Sequence, residues 1–211
     1  VANFQEAYNK TALNEGGYRN VLWDLGGETY CGIARNYNPQ WPGWTTIDQL
    51  KNNYPNGKIP FNTKFSTLDN SVKSFYQANY WNKIKGDAIS NQAIANLTYD
   101  FVVQSGQAVR KMQEAINKVK PDSVTVDNQF GNQTLTAINT LPSVAVHNAI
   151  LDERKAYYQY LLNIGKISDN DWNGILNRLA KYPYLTAAVS SIGALLLIGT
   201  FFFVATKYLN K

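Results

Sequence analysis

Apolar positions recur at helical spacing along most of this chain. In "NFQEAYNKTALNE", Phe4, Ala7, Tyr8, Ala12 and Leu13 share one face, predicting a helix that Gly16 and Gly17 stop. "TLDNSVKSFYQANYWNKI" repeats the spacing at Leu68, Val72, Phe75, Tyr76 and Tyr80, with Thr67, Asp69 and Asn70 as candidate caps. "NQAIANLTYDFVVQSG" does so at Ile94, Leu97, Phe101 and Val102 and ends at Gly106. "QAVRKMQEAINKV", "TLTAINTL", "SVAVHNAILDERKAYYQYLLNIG" after Pro142, and "DWNGILNRL" read as further helices, and "KPDSVTVDNQFGNQ" as a loop. Only residues 20–33 offer strands: two short apolar runs flank Gly26-Gly27, the pattern of a β-hairpin. The expected fold is mainly α, of α+β type, a helical body with a small β-hairpin lobe and a cleft between them.

The hydropathy changes at the C-terminal end. From Tyr182 to Thr206 no residue is charged, and Lys181 and Lys207 bracket the run. About 20 apolar residues cross a bilayer as a helix, so residues 182–206 are expected to be one C-terminal transmembrane helix with the lipid bilayer as a partner. Tyr182, Tyr184 and Tyr208 would sit at its interfaces. Basic residues flank both ends, which leaves the topology open. "VANFQEAYNKTALNEGG" has no apolar run of the signal-peptide kind.

Composition narrows the chemistry. The chain has 211 residues, one Cys and one His, so neither an internal disulfide nor a metal site is expected, and no cofactor. A Cys31–His147 nucleophile pair is disfavoured against a packed thiol. The net charge of +5 suits an anionic polymer. The lysines are scattered and no phosphate-cradling Gly-rich loop follows a strand, so neither nucleic acid nor nucleotide is expected as a partner. Aromatics are abundant, with 5 Trp, 14 Tyr and 9 Phe. Trp41 and Trp44 in "NYNPQWPGWTTIDQL" occupy a Pro/Gly loop ahead of a helix that Thr45 or Thr46 would cap, and loop aromatics suit stacking on sugars. Tyr80 and Trp81 fall within a helical pattern and read as core.

Glu15 is placed against its local chemistry. A carboxylate in the last turn of a helix meets the negative end of the dipole, and Tyr18 and Trp23 stand close in sequence. Such a group resists ionisation, as a general acid requires. Asp24 precedes the Gly26-Gly27 turn and Thr29 begins the return strand. Two carboxylates and a hydroxyl that holds water are the tools of glycosidic cleavage. Asp100 and Gln104 stand one helical turn apart, where they would either face a sugar or satisfy each other and neighbouring backbone.

The stretch "NEGGYRNVLWDLGGETYCGIA" resembles the N-terminal signature of glycoside hydrolase family 108, lysozyme-like N-acetylmuramidases of bacteria and phages, at Glu15, Gly16, Gly17, Tyr18, Asp24, Gly26, Gly27, Thr29, Gly32 and Ile33. The resemblance continues at Tyr80, Trp81, Gly86 and Asp87, and through "NLTYDFVVQSGQ", where Gln104 replaces the usual Asn. "VTVDNQFGNQTLTAIN" is similar to a loop of the type 3 peptidoglycan-binding region, with Asn128 in place of a Gly. The resemblance implies a lysozyme-like catalytic region at 1–106, a helical peptidoglycan-binding region at 107–180 packed on it, and, outside the family pattern, the anchor at 182–206. It implies hydrolysis of the MurNAc-GlcNAc β-1,4 bond of peptidoglycan, with Glu15 as catalytic acid and Asp24 and Thr29 assisting. Tyr18, Trp41, Trp44, Asp100 and Gln104 are the candidate substrate-binding residues. A lytic transglycosylase using Glu15 alone, and a non-catalytic membrane-tethered wall binder, are the alternatives. With the anchor, the expected setting is a phage lytic enzyme in the host inner membrane or in the membrane of a membrane-containing virion.

Overall fold

Helix α1 (Phe4–Ala12) leads into three two-residue strands, β1 (Tyr18–Arg19), β2 (Thr29–Tyr30) and β3 (Ile33–Ala34). Among the described residues seven α-helices follow: α2 (Gly43–Lys51), α3 (Asp69–Tyr76), α4 (Gln92–Gln104), α5 (Ala108–Val119), α6 (Asn132–Thr140), α7 (Ser143–Asn163) and α8 (Asp169–Leu179). This computed structural model describes residues 1–12, 16–21 and 26–186. It is mainly helical with one small antiparallel sheet.

Helix α4 is the centre. Every residue from Ile94 to Phe101 is buried, the mark of a helix enclosed on all sides. Asn91 opens it, its side chain accepting from Ile94 N at 3.1 Å. Asn3 does the same for α1, accepting from Glu6 N at 3.1 Å. The two helix starts are tied by Asn3 N donating to Gln92 Oε1 at 2.6 Å. Phe4 of α1 then meets Trp81 at 5.6 Å and Tyr99 edge-on at 5.8 Å. On the other side α7 packs against both α4 and α5.

Trp81, fully buried as its helical spacing suggested, ends a π-helical turn, Gln77–Trp81, that continues α3. Its indole N–H donates to Asp87 at 2.8 Å. A Cβ on Gly86 would lie 2.2 Å from the ring, so only glycine fits there. The quoted motif of Trp81, Gly86 and Asp87 is thus one packing unit.

The sheet departs from the expected hairpin. β1 lies earlier, pairing Tyr18 with Tyr30 and Arg19 with Thr29, and a further strand follows, pairing Tyr30 with Ile33. Cys31 (φ 46°) and Gly32 (φ 77°) make the tight turn between β2 and β3 in the left-handed region that such two-residue turns need. Helices α2 and α3 are not capped as predicted. Pro42 and Leu68 precede them without a side-chain cap, so Thr45 and Asp69 fall inside their helices.

The membrane localisation is corrected. Among the described residues no helix is long and apolar enough to cross a membrane. The expected span also fails at its start. Tyr182 is buried under the Lys10 ammonium, 4.8 Å from its ring centre. Tyr184 donates to Asp152, and Leu185 N donates to Asn148 Oδ1 at 2.8 Å. This segment is docked non-helically on α7, where polar side chains satisfy its backbone. Residues 187–206 of the expected span lie outside the described residues.

Candidate active site

Glu15 and Asp24 lie outside the described residues. The chain that follows Glu15 is tied down from Gly17 onward. Gly17 N donates to Asn62 Oδ1 at 2.7 Å. Tyr18 N donates to Thr63 O at 2.8 Å, and Asn62 N returns a bond to Tyr18 O at 2.7 Å. Asn62 takes φ 63°, a conformation Asn tolerates better than most residues. A Cβ at Gly17 would stand 2.4 Å from Asn62 O and 2.5 Å from Thr63 O. Glycine at position 17 is therefore required by backbone approaching backbone.

Thr29 is half-buried on β2, its hydroxyl donating to Gly27 O at 3.2 Å. It borders a cavity of about 240 Å³ with Gly16, Gly17, Arg19, Gly32 and Asn62. A smaller cavity of about 90 Å³ is bordered by Tyr8 and Thr11 of α1, Cys31 of the turn, and Asp69 and Tyr76 of α3. It marks the cleft between lobe and helical body.

Tyr18 is almost fully buried, and its hydroxyl donates to Glu28 at 2.7 Å. Burial and this carboxylate raise the Tyr18 pKa. Glu28, which the sequence reading did not single out, is also buried and pairs with Arg35 at 3.1 Å and Lys51 at 2.8 Å. Asp48 joins both cations at 2.9 Å. Burial alone would lower the Lys51 pKa, but its bonds to Glu28 and Asp48 outweigh that and raise it. This network fixes the lobe to α2 behind the strand that carries Thr29. No spacing signal announces it, because its members come from three separate segments.

The two tryptophans are packed rather than presented. Trp41 lies parallel to Tyr30 at 6.1 Å and perpendicular to Trp44 at 5.1 Å. Trp44 donates to Asn38 O at 2.8 Å, and the Arg35 guanidinium covers it at 4.6 Å. Both rings are largely covered by protein, and Trp41 also borders a hollow of about 530 Å³.

Asp100 is likewise turned inward. It is completely buried and accepts from Arg154 at 2.5 Å, from Arg178 Nε at 3.0 Å and from the Thr11 hydroxyl at 3.0 Å. Gln104 accepts from the same Arg154 at 2.6 Å. Burial opposes ionisation of Asp100, but Arg154 and Arg178 overcome it and hold its pKa below the usual carboxylate range. Of the two readings open for this pair, the geometry is that of residues satisfying neighbours.

The sequence profile of the family Glycosyl hydrolase 108 matches residues 8–106. The chain is accordingly a glycoside hydrolase of lysozyme type, and at family level a peptidoglycan-hydrolysing enzyme is supported. A solved structure, that of Brucella abortus SagA, is similar at 22% identity and a TM-score of 0.58, over 89% of this chain and 98% of that one. At that identity the likeness speaks for the fold. Among curated protein sequences none matches this chain.

Proposed function

We propose that the protein is an N-acetylmuramidase that cleaves the MurNAc-GlcNAc β-1,4 bond of peptidoglycan. Glu15 protonates the glycosidic oxygen, and Asp24 assists a water that Thr29 helps to hold. The family match over residues 8–106 carries this reading, since it contains all three residues. The anchored backbone of Gly17 and Tyr18, and the cavity beside Thr29, support it. Residues 1–106 then form the catalytic region and 107–180 a peptidoglycan-binding region. The Asp100–Arg154 pair supports a joint action of the two, since it links α4 to α7. Breakdown of a host wall by a phage is the lytic role this activity suits.

The test is digestion of purified peptidoglycan by the protein and by Glu15→Gln, with the products read by mass spectrometry. Reducing N-acetylmuramic ends made only by the parent are expected. Anhydro ends would replace the hydrolase by a transglycosylase. Binding without cutting by either protein would leave only a wall binder.

A further inference from the structure

We infer that Phe61 is a sugar-stacking platform beside the hollow that Thr29 borders and that it positions the glycan strand. The inference rests on the muramidase reading and adds a positioning residue that lies far from the signature segment.

Phe61 is 78% exposed, although it is a large aromatic on a short segment that is otherwise tied down. Most exposed apolar side chains need no explanation, but this one has a defined place. It borders the 240 Å³ cavity that holds Thr29 and Gly16, and also a second one of about 440 Å³ lined by Tyr18, Asn20, Gly57, Lys58 and Ile59. The ring therefore stands on the ridge between two adjoining hollows, each large enough for part of a saccharide. A pyranose presents an apolar C–H face that an aromatic ring covers well, while its hydroxyls and N-acetyl group need polar partners. Asn20 and Asn62 border the hollows on either side and supply amides.

The platform is also rigid. Asn62 N and Thr63 O pair with the backbone of Tyr18, and the Asn62 side chain accepts from Gly17. Pro60 O accepts the Thr63 hydroxyl at 2.8 Å. Phe61 is thus displayed from backbone fixed to Gly17 and Tyr18, so a sugar seated on it would be held beside the strand pair that carries Thr29. Preorganised aromatics give contact area at little entropic cost. The favoured occupant is an N-acetylated sugar of the substrate strand. The two hollows share Tyr18 and Phe61 in their linings, and among the described residues lining the second hollow only Lys58 is charged.

The experiment compares the full-length parent with Phe61→Ala, Phe61→Trp and Phe61→Leu. Solubilised peptidoglycan serves for kinetics, and a GlcNAc tetramer, titrated by calorimetry, serves for binding. Phe61→Ala is expected to raise KM and weaken tetramer binding about tenfold, with kcat within about twofold of the parent. Phe61→Trp restores both, whereas Phe61→Leu, apolar but without a flat ring, does not. Equal KM and affinity in the parent and Phe61→Ala overturn the platform while leaving the muramidase reading intact. If the parent does not cut but binds the tetramer through Phe61, the muramidase reading falls and the sugar site stands. If the parent neither cuts nor binds, both fall. Should Phe61→Ala melt early, the contrast between Phe61→Leu and Phe61→Trp decides the question.

Discussion

Arg154 of α7 donates to Asp100 of α4 at 2.5 Å, and neither side chain has any exposed surface. Two regions separated by 54 positions in sequence are joined there, and Arg178 of α8 closes on the same carboxylate. A buried pair adds little beyond an apolar equivalent, but removing one partner strands the other charge. Asp100→Asn is therefore expected to lower unfolding free energy by about 3–5 kcal/mol, read by urea denaturation. The pH dependence follows. The folded pKa of Asp100 is below its ordinary value of 3.8, so its stabilisation is present above that value and is lost as pH falls through the folded pKa. The parent should lose stability below about pH 4 by a component that Asp100→Asn lacks. A variant as stable as the parent at neutral pH would show the pair to be dispensable.

Gly86 and Trp81 make a second packing prediction. A methyl group at position 86 would enter an indole with no exposed surface and no room to retreat. Gly86→Ala should cost about 1–3 kcal/mol, the range of overpacked cores. Trp81→Phe should relieve the overlap but lose the bond to Asp87. Thermal melts of the single and double variants test this. Gly86→Ala should be less harmful on the Trp81→Phe background than alone, and additive losses would refute the contact as the cause.

His147 gives a pH effect at milder acidity. It is buried on α7, and burial together with the nearby Lys10 charge lowers its pKa below 6.5, although Asn148 opposes the shift. As pH falls below 6.5 the unfolded chain takes up this proton first, so stability declines until the lower folded pKa is passed. Denaturant midpoints measured between pH 7 and pH 5 should fall for the parent and fall less for His147→Gln. Parallel profiles would mean that His147 is equally easy to protonate in both states.

Most of the helical body was legible because its periods are long. The spacing of Ile94, Leu97 and Phe101 marks α4, and Pro142 marks the start of α7. The lobe was less legible. β1 is only Tyr18–Arg19, too short for any alternation, and its outer partner is the 62–63 backbone from another part of the chain. Trp41 and Trp44 looked like loop aromatics because Pro and Gly surround them, yet Pro42 opens α2 and draws both rings inward. Asp100 could be placed on a helix but not judged buried, since its neutralising partners arrive from α7 and α8. Tyr182 had the hydropathy of a span's first residue, while its seat beneath Lys10 depends on tertiary contact. In the site, the motif residues were legible one by one. Their support by Glu28 and Asn62 was not, because these act through backbone and charge contacts between segments.

Asn62 offers the sharpest local test of how the segment after Glu15 is held. Two properties coincide in it: φ of 63° and a side-chain oxygen that accepts from Gly17 N. Asn62→Gly keeps the first and loses the second, at about 1 kcal/mol for a hydrogen bond. Asn62→Ala loses both, adding about 1–2 kcal/mol for a left-handed alanine. Gly17→Ala attacks the same contact from the other side, where a Cβ would strike the Asn62 and Thr63 carbonyl oxygens. Stability should therefore fall in the order parent, Asn62→Gly, Asn62→Ala. Peptidoglycan hydrolysis should fall more steeply than stability in all three variants, because the loosened backbone is continuous with Glu15. Turbidity assays run well below each variant's melting temperature separate the two effects. Activity that tracks the folded fraction alone would mean that this tie serves the fold and not the position of the acid.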